Sequence, residues 1–198
     1  MTRRRWVAVV LAAVAMAAAG GIAVAFMLSR PTDPIGVVTA WTAARNRGDV
    51  DTAMSYLGSS GNVFGIALHE PDQRQELASI LAAQTAAGWS LDDRDCEVSG
   101  DTVRCRYVQR DLILDRWGLA LTGRHRYIVR DGSLAFAERV HDPESRDAAY
   151  AAFERFRTWV EEAHPELVGV IWSDPAAALY STPEGARAVL ELLDEYTP

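Results

Sequence analysis

Three patterns of hydrophobic positions follow one another along the chain. From Trp6 to Leu28 no residue is charged. From residue 35 to residue 87 apolar positions recur at helical spacing. From Trp89 to residue 141 they alternate, and helical spacing returns after Asp142. The middle stretch predicts a helix over 35–47, with Ile35, Val38, Trp41 and Thr42 on one face. Gly48-Asp49 ends it, and Asp49 or Asp51 can cap a second short helix running to Leu57. Residues 58–65 predict a loop. Residues 72–87 predict a helix with Leu77, Ile80, Leu81 and Gln84 on one side. The alternating stretch predicts strands at 89–98, 103–114, 120–130 and 133–141. Asp131-Gly132 between the last two is a type I′ hairpin signal. Pro143-Glu144 opens a long helix to Ala163, a short helix is expected over 175–180, and a last one over 183–196.

The uncharged run is 23 residues, preceded by Arg3, Arg4 and Arg5. As a helix it spans about 34 Å, enough to cross a hydrocarbon core. It predicts a single-pass membrane anchor over residues 6–28, with the N-terminus cytoplasmic and the remaining chain extracytoplasmic. The competing expectation is a signal peptide cleaved near Ala23-Val24-Ala25, which would make the chain secreted. The chain thus divides into an arginine cluster and anchor at 1–30, an α+β domain at 31–142, and a helical extension at 143–198 packed on that domain.

Charge adds two exclusions. The net charge is −7, with +4 in the first 30 residues and −8 in residues 142–198. A body this acidic argues against nucleic acid as a partner. All 20 basic residues are arginine, which removes Schiff-base chemistry on a lysine. No cofactor motif is present, so no cofactor is expected, and no residues are spaced as a metal site.

The two cysteines, Cys96 and Cys105, flank a hairpin turn at Gly100-Asp101. That turn pairs Ser99 with Thr102, Val98 with Val103, Glu97 with Arg104, and Cys96 with Cys105. The last pair is a non-hydrogen-bonded one, close enough for a disulfide. An oxidising compartment agrees with it.

Helices followed by antiparallel strands predict helices packed on one sheet. The segments Val37-Val38-Thr39-Ala40-Trp41-Thr42-Ala43-Ala44, Gly48-Asp49-Val50-Asp51 and Tyr56-Leu57 carry a family resemblance, as does Tyr127-Ile128-Val129-Arg130-Asp131-Gly132-Ser133-Leu134. Over residues 33–141 the chain resembles the nuclear transport factor 2-like superfamily, which includes SnoaL-like proteins and ketosteroid isomerases. It looks like the membrane-anchored actinobacterial type. The resemblance implies a cone-like domain, with helices on a curved antiparallel sheet that encloses a pocket. It does not imply one function, because the fold hosts isomerases, hydrolases and binding modules.

Counting outward from Asp131-Gly132 pairs Val129 with Leu134, Tyr127 with Phe136, and His125 with Glu138. The imidazole and carboxylate of that last pair are the candidates for proton transfer. Trp41, Tyr56, Tyr107, Tyr127 and Phe136 join His125 and Glu138 as expected pocket residues. Epoxide hydrolases of the superfamily use an Asp-Arg-Asp set. Arg110, Asp111 and Asp115 supply those residue types, but within one short segment. The opposite face collects Arg104, Arg106, Arg124, Arg126 and Arg139, for which the acidic tail, an anionic lipid surface or an acidic protein is the expected counterpart. The leading expectation is a membrane-tethered, non-catalytic module binding a small apolar ligand or a protein partner, including a second copy. The alternatives are an isomerase or hydrolase using His125 and Glu138, and a structural subunit of an envelope complex.

Overall fold

The computed structural model describes residues 31–172 and 182–196. Residues from Thr32 onward form one compact unit. Helix α1 (Pro34–Asn46) begins where the Asp33 carboxylate accepts from Gly36 N at 2.8 Å, with Pro34 in the first turn. Gly48, at φ 71°, carries the chain out of it. Asp49 then caps α2 (Val50–Ser55) through Thr52 N. Strands β1 (Leu57–Val63) and β2 (Ile66–Ala67) follow, then α3 (Pro71–Ala86), β3 (Ser90–Ser99) and β4 (Thr102–Arg110). A five-residue helix α4 (Leu112–Arg116) precedes β5 (Leu121–Arg130) and β6 (Ser133–His141). The remaining α-helices are α5 (Pro143–Ala163), α6 (Val168–Ile171) and α7 (Pro183–Leu192).

Two segments depart from expectation. Residues 58–65 contain a strand, because Leu57, Asn62 and Val63 find parallel partners on β6 that local composition does not announce. The strand expected over 103–114 ends at Arg110. Asp111 then caps α4 by accepting from Leu114 N at 2.7 Å.

The six strands are ordered β2-β1-β6-β5-β4-β3. The sheet is open: β2 and β3 are its two edges and do not pair. The cone-like closure implied by the resemblance is therefore corrected to a sheet-plus-helix α+β layer. Helices, rather than strand closure, cover its inner face. One core forms between α1, α2, α3 and that face, around Val38, Trp41, Leu77, Leu81, Val103 and Tyr127. A second joins α4 to α5 and α7 through Ile113, Leu114, Phe153, Phe156 and Val189.

Among the described residues no helix is long and apolar enough to cross a membrane. The anchor over 6–28 and the short helix over 175–180 both lie outside the described residues. The transmembrane helix, the cell-membrane location and the membrane partner expected from that anchor thus find no support among the described residues.

Two one-residue bulges decide which side chains face inward. In β3, Arg94 opposes Arg106 and Glu97 opposes Arg104, so Asp95 and Cys96 together face Cys105. Asp95 takes a left-handed φ of 49° to do so. Leu91 and Asp93 before the bulge thus share the inner face with Cys96. The expected disulfide is present, joining Cys96 to Cys105 with Cα atoms 4.1 Å apart. In β6, Leu134 opposes Val129 but Phe136 opposes Ile128, leaving Ala135 without a partner on β5. From there on every side chain of β6 changes face.

Candidate functional site

The β6 bulge corrects the candidate pair. His125 opposes Arg139, and Glu138 opposes Arg126. Glu138 ion-pairs with Arg126 at 3.1 Å, both about half exposed. Phe136 lies beneath the Arg126 guanidinium on that same outer face. Phe136 and Glu138 still border a cavity at the β1–β2 end of the sheet, away from the His125 ring. Arg139 leaves the outer arginine face and turns inward. Arg104, Arg106, Arg124 and Arg126 remain exposed there. Among the described residues the acidic tail makes no ion pair with them, and α5 packs with α4 and α7.

The carboxylate that meets His125 is Asp93. His125 Nδ1 lies 2.7 Å from Asp93 Oδ1, and the Tyr127 hydroxyl donates to Asp93 Oδ2 at 2.8 Å. Thr42 Oγ1 adds a third donor at 3.2 Å. On the far side of the ring, Arg139 Nε donates to His125 Nε2 at 3.1 Å, and Arg139 Nη1 donates to Gln109 Oε1 at 2.8 Å. A guanidinium only donates, so Nε2 must accept and the single proton sits on Nδ1, directed at Asp93. Burial pushes the His125 pKa down to about 4. The Asp93 carboxylate opposes that shift, and Arg139 and Arg45 reinforce it. The ring is neutral at pH 7, and its lone pair is taken. His125 is thus a positioning group that links Asp93 to Arg139.

Arg139 presents what this relay holds. Arg139 is part-buried, and its Nη2 makes no hydrogen bond to the described residues. Arg139, His141, Ile80 and Gln84 border two adjoining cavities, of about 230 and 550 Å³. Leu77, Ile66 and Phe64 line one arm of this groove, and Trp89, Leu114, Leu121 and Phe153 the other. Arg139 and His141 therefore lie where the two arms meet, and Gln109, Asp111 and Arg146 on one side and Asn62 and Glu138 on the other add polar groups to the apolar lining.

His141 sits two residues from Arg139 on the same face of β6. Its Nδ1 meets the Tyr107 hydroxyl at 2.5 Å. Tyr107 on β4 reaches over β5 to do so, and Gly123 permits it. Gly123 is the β5 partner of both Tyr107 and His141. A Cβ at Gly123 would stand 3.0 Å from Tyr107 Cε1 and 2.1 Å from Val140 O. Burial lowers the His141 pKa to about 4, with Arg139 and Arg146 adding to the effect. Burial pushes Tyr107 up to about 12, so its hydroxyl stays protonated and can donate to or accept from His141. Either His141 tautomer is thus supported, and its Nε2 is able to act as base or as acid. Asp111 borders the same groove, with its pKa raised to about 6 by burial.

The other expected pocket residues are core. Trp41, Tyr56, Tyr107 and Tyr127 are all buried, and none of them borders the groove. Asp93 was missed, although the alternation of β3 places it on the face of Leu91. His141 and Arg139 were missed because their inward orientation depends on the bulge at Ala135. Among the described residues no cluster of three or more His, Cys, Asp or Glu side chains is placed to hold a metal ion.

No family model matches the sequence, and no curated protein does. Solved structures do resemble it. An NTF2-like protein of unknown function from Cytophaga hutchinsonii is 12% identical with a TM-score of 0.45, covering 59% of this chain and 96% of its own. An uncharacterized cystatin-fold protein from Novosphingobium aromaticivorans is 18% identical at 0.45, covering 56% of this chain and 99% of its own. The epoxide hydrolase/cyclase-like enzyme SalBIII, of pyran ring formation in the polyether salinomycin, is 12% identical at 0.44. It covers 55% of this chain and 90% of its own. These are likenesses of fold, to proteins of the NTF2-like and cystatin type, and no residue role passes from them. None marks a membrane-anchored actinobacterial subtype. The expectation that the chain is more a binding module than an enzyme is corrected on its groove, which brings the Arg139 guanidinium and the His141 imidazole together.

Proposed function

We propose that this protein is an isomerase that moves a proton beside a carbonyl group in a small, largely apolar molecule. The observation that supports it is the pairing of Arg139 and His141 where the two arms of the groove meet, each held from behind by a buried partner. The substrate carbonyl oxygen accepts from Arg139 Nη2. His141 Nε2, neutral above pH 4 or so, removes a proton from the adjacent carbon, while Tyr107 accepts from His141 Nδ1. The electron pair of the broken C–H bond moves onto the oxygen as an enolate, facing a guanidinium that is already oriented. Where the substrate carries a C=C bond conjugated with the enolate, His141 returns the proton to the far carbon of the dienolate, the double bond shifts by one position, and charge and protons balance. Asp93 and His125 hold Arg139 so that little reorganisation accompanies the charge shift.

Proton NMR in D2O tests this with cyclohexanone and dibutyl ketone as probes. The protein is expected to accelerate exchange of the protons beside the carbonyl. His141→Ala is expected to lower that acceleration by about 10²–10⁴-fold, the usual contribution of a positioned acid or base. Exchange no faster than in buffer for both ketones, or equal acceleration by His141→Ala, overturns the proposal.

A further inference from the structure

The proton-transfer scheme meets the substrate oxygen with one donor, Arg139 on β6. Helix α3 supplies another wall of the groove at the same place. Ile80 and Gln84 of α3 border both cavities, as Arg139 and His141 do. Gln84 is a polar residue on an otherwise apolar side of that helix, spaced three and seven residues from the buried Leu81 and Leu77.

An amide has a donor end and an acceptor end, and Arg45 decides which way they point. Arg45, in the last turn of α1, is buried, with its guanidinium carbon 4.5 Å from the Trp41 ring centre and 4.0 Å from that of Trp89. Desolvation lowers its pKa to about 9, which leaves it charged at neutral pH. Its Nη2 donates to Gln84 Oε1 at 2.9 Å. A guanidinium has no acceptor, so the amide cannot turn over without setting its NH2 group against a buried cation. Oε1 is therefore fixed on Arg45. Nε2 makes no hydrogen bond to the described residues, and Gln84 is part-buried. Gln109 is oriented in the same way by Arg139 Nη1, but it borders only the smaller cavity.

We infer that Gln84 is a second catalytic hydrogen-bond donor, whose Nε2 donates to the same substrate oxygen as Arg139 Nη2. The inference rests on the proton-transfer reading of the groove. A carbonyl oxygen has two lone pairs and accepts both donors, one from the sheet and one from α3. Both hydrogen bonds strengthen as the oxygen gains charge in the enolate. Neither donor gives up its proton, so the proton balance of the scheme is unchanged.

Two measurements test this. Exchange of cyclohexanone protons in D2O is compared for wild type and Gln84→Met, which keeps the length of the side chain and removes the donor. The variant is expected to lose about 10²–10³-fold in kcat, with KM changed by less than about threefold. The second probe is 4-nitrophenol in mildly alkaline buffer, where it carries its charge on an oxygen and undergoes no proton transfer at carbon. Gln84→Met is expected to bind this phenolate about 10–100-fold more weakly than wild type. In the wild-type protein the Gln84 side-chain amide protons are expected to move downfield on its addition, a readout that does not depend on the variant folding. Wild type that binds the phenolate but accelerates no exchange would overturn the proton-transfer reading, while weaker binding by Gln84→Met would still support the donor. Unchanged kcat in Gln84→Met, equal or no phenolate binding by the two proteins, or Gln84 amide protons that do not move, overturns the inference.

Discussion

Arg139 Nε and His125 Nε2 are 3.1 Å apart, and this one hydrogen bond settles where the imidazole carries its proton. The proton faces Asp93, the ring is neutral, and the guanidinium is fixed at the groove. Removing the ring leaves the buried Asp93 short of a donor and Arg139 without its anchor. His125→Ala is therefore expected to cost about 2–4 kcal/mol in urea unfolding. A loss below about 0.5 kcal/mol would mean that the ring bears no such link.

The same neutrality has a pH signature. The folded pKa of His125, about 4, lies below its ordinary 6.5. The unfolded chain takes up this proton first, so stability linked to His125 is complete above pH 6.5 and falls as pH drops toward 4. Asp111 acts in the opposite sense, because its folded pKa of about 6 is raised: its linked stability grows as pH falls through 6 toward 4. Comparing wild type with His125→Gln separates the two. Between pH 7 and pH 5 the wild type is expected to lose about 1–2 kcal/mol more than the variant. Equal losses would place the His125 pKa near its ordinary value.

Gly123 is expected to tolerate no side chain. In Gly123→Ala the new methyl meets the Val140 carbonyl, His141 Cα and the Tyr107 ring, two of them backbone atoms that cannot step aside. The expected cost is about 1–3 kcal/mol, with a drop in Tm of a few degrees. Proton exchange should fall as well, because Tyr107 is pushed off His141. An alanine variant with wild-type melting and activity would contradict the Tyr107–His141 contact.

The disulfide between Cys96 and Cys105 closes a loop of sequence separation 9 across the β3 bulge. A Cys96→Ala, Cys105→Ala double variant is expected to lose about 2–3 kcal/mol on the chain-entropy account. That corresponds to roughly 5–10 °C in melting temperature. Cys105 is the β4 partner of His125, so the variant should also weaken exchange. Unchanged melting would mean that the bulge holds Asp93 in place unaided.

Much of this arrangement is legible in the chain. The Gly100-Asp101 turn places Glu97 opposite Arg104, and the Asp131-Gly132 turn places Val129 opposite Leu134, as observed. The helix expected over 35–47 is α1, and that over 72–87 is α3, within a residue or so at each end. What escapes is the insertion of a single residue. Ala135 carries no mark that distinguishes it from a paired strand residue, yet its bulge exchanges Glu138 for Arg139 opposite His125. Strand β1 escapes for a related reason: Leu57-Gly58-Ser59-Ser60-Gly61-Asn62-Val63 has turn composition and becomes a strand only through β6 and β2. Gly61 fits because a Cβ there would lie 2.8 Å from Ala135 O, at the bulge itself. Asp93 needed no tertiary information. Period two from Leu91 puts it inward, and an inward carboxylate in a strand calls for a partner.

The most direct test of the relay is a nitrogen-15 NMR titration of the histidine rings, of which the chain has four. His125 is expected to carry its proton on Nδ1 and to stay neutral down to pH 4 or so, with His141 neutral over the same range. A His125 ring protonated on Nε2, or titrating near 6.5, would contradict the Asp93–His125–Arg139 relay and the groove chemistry built on it.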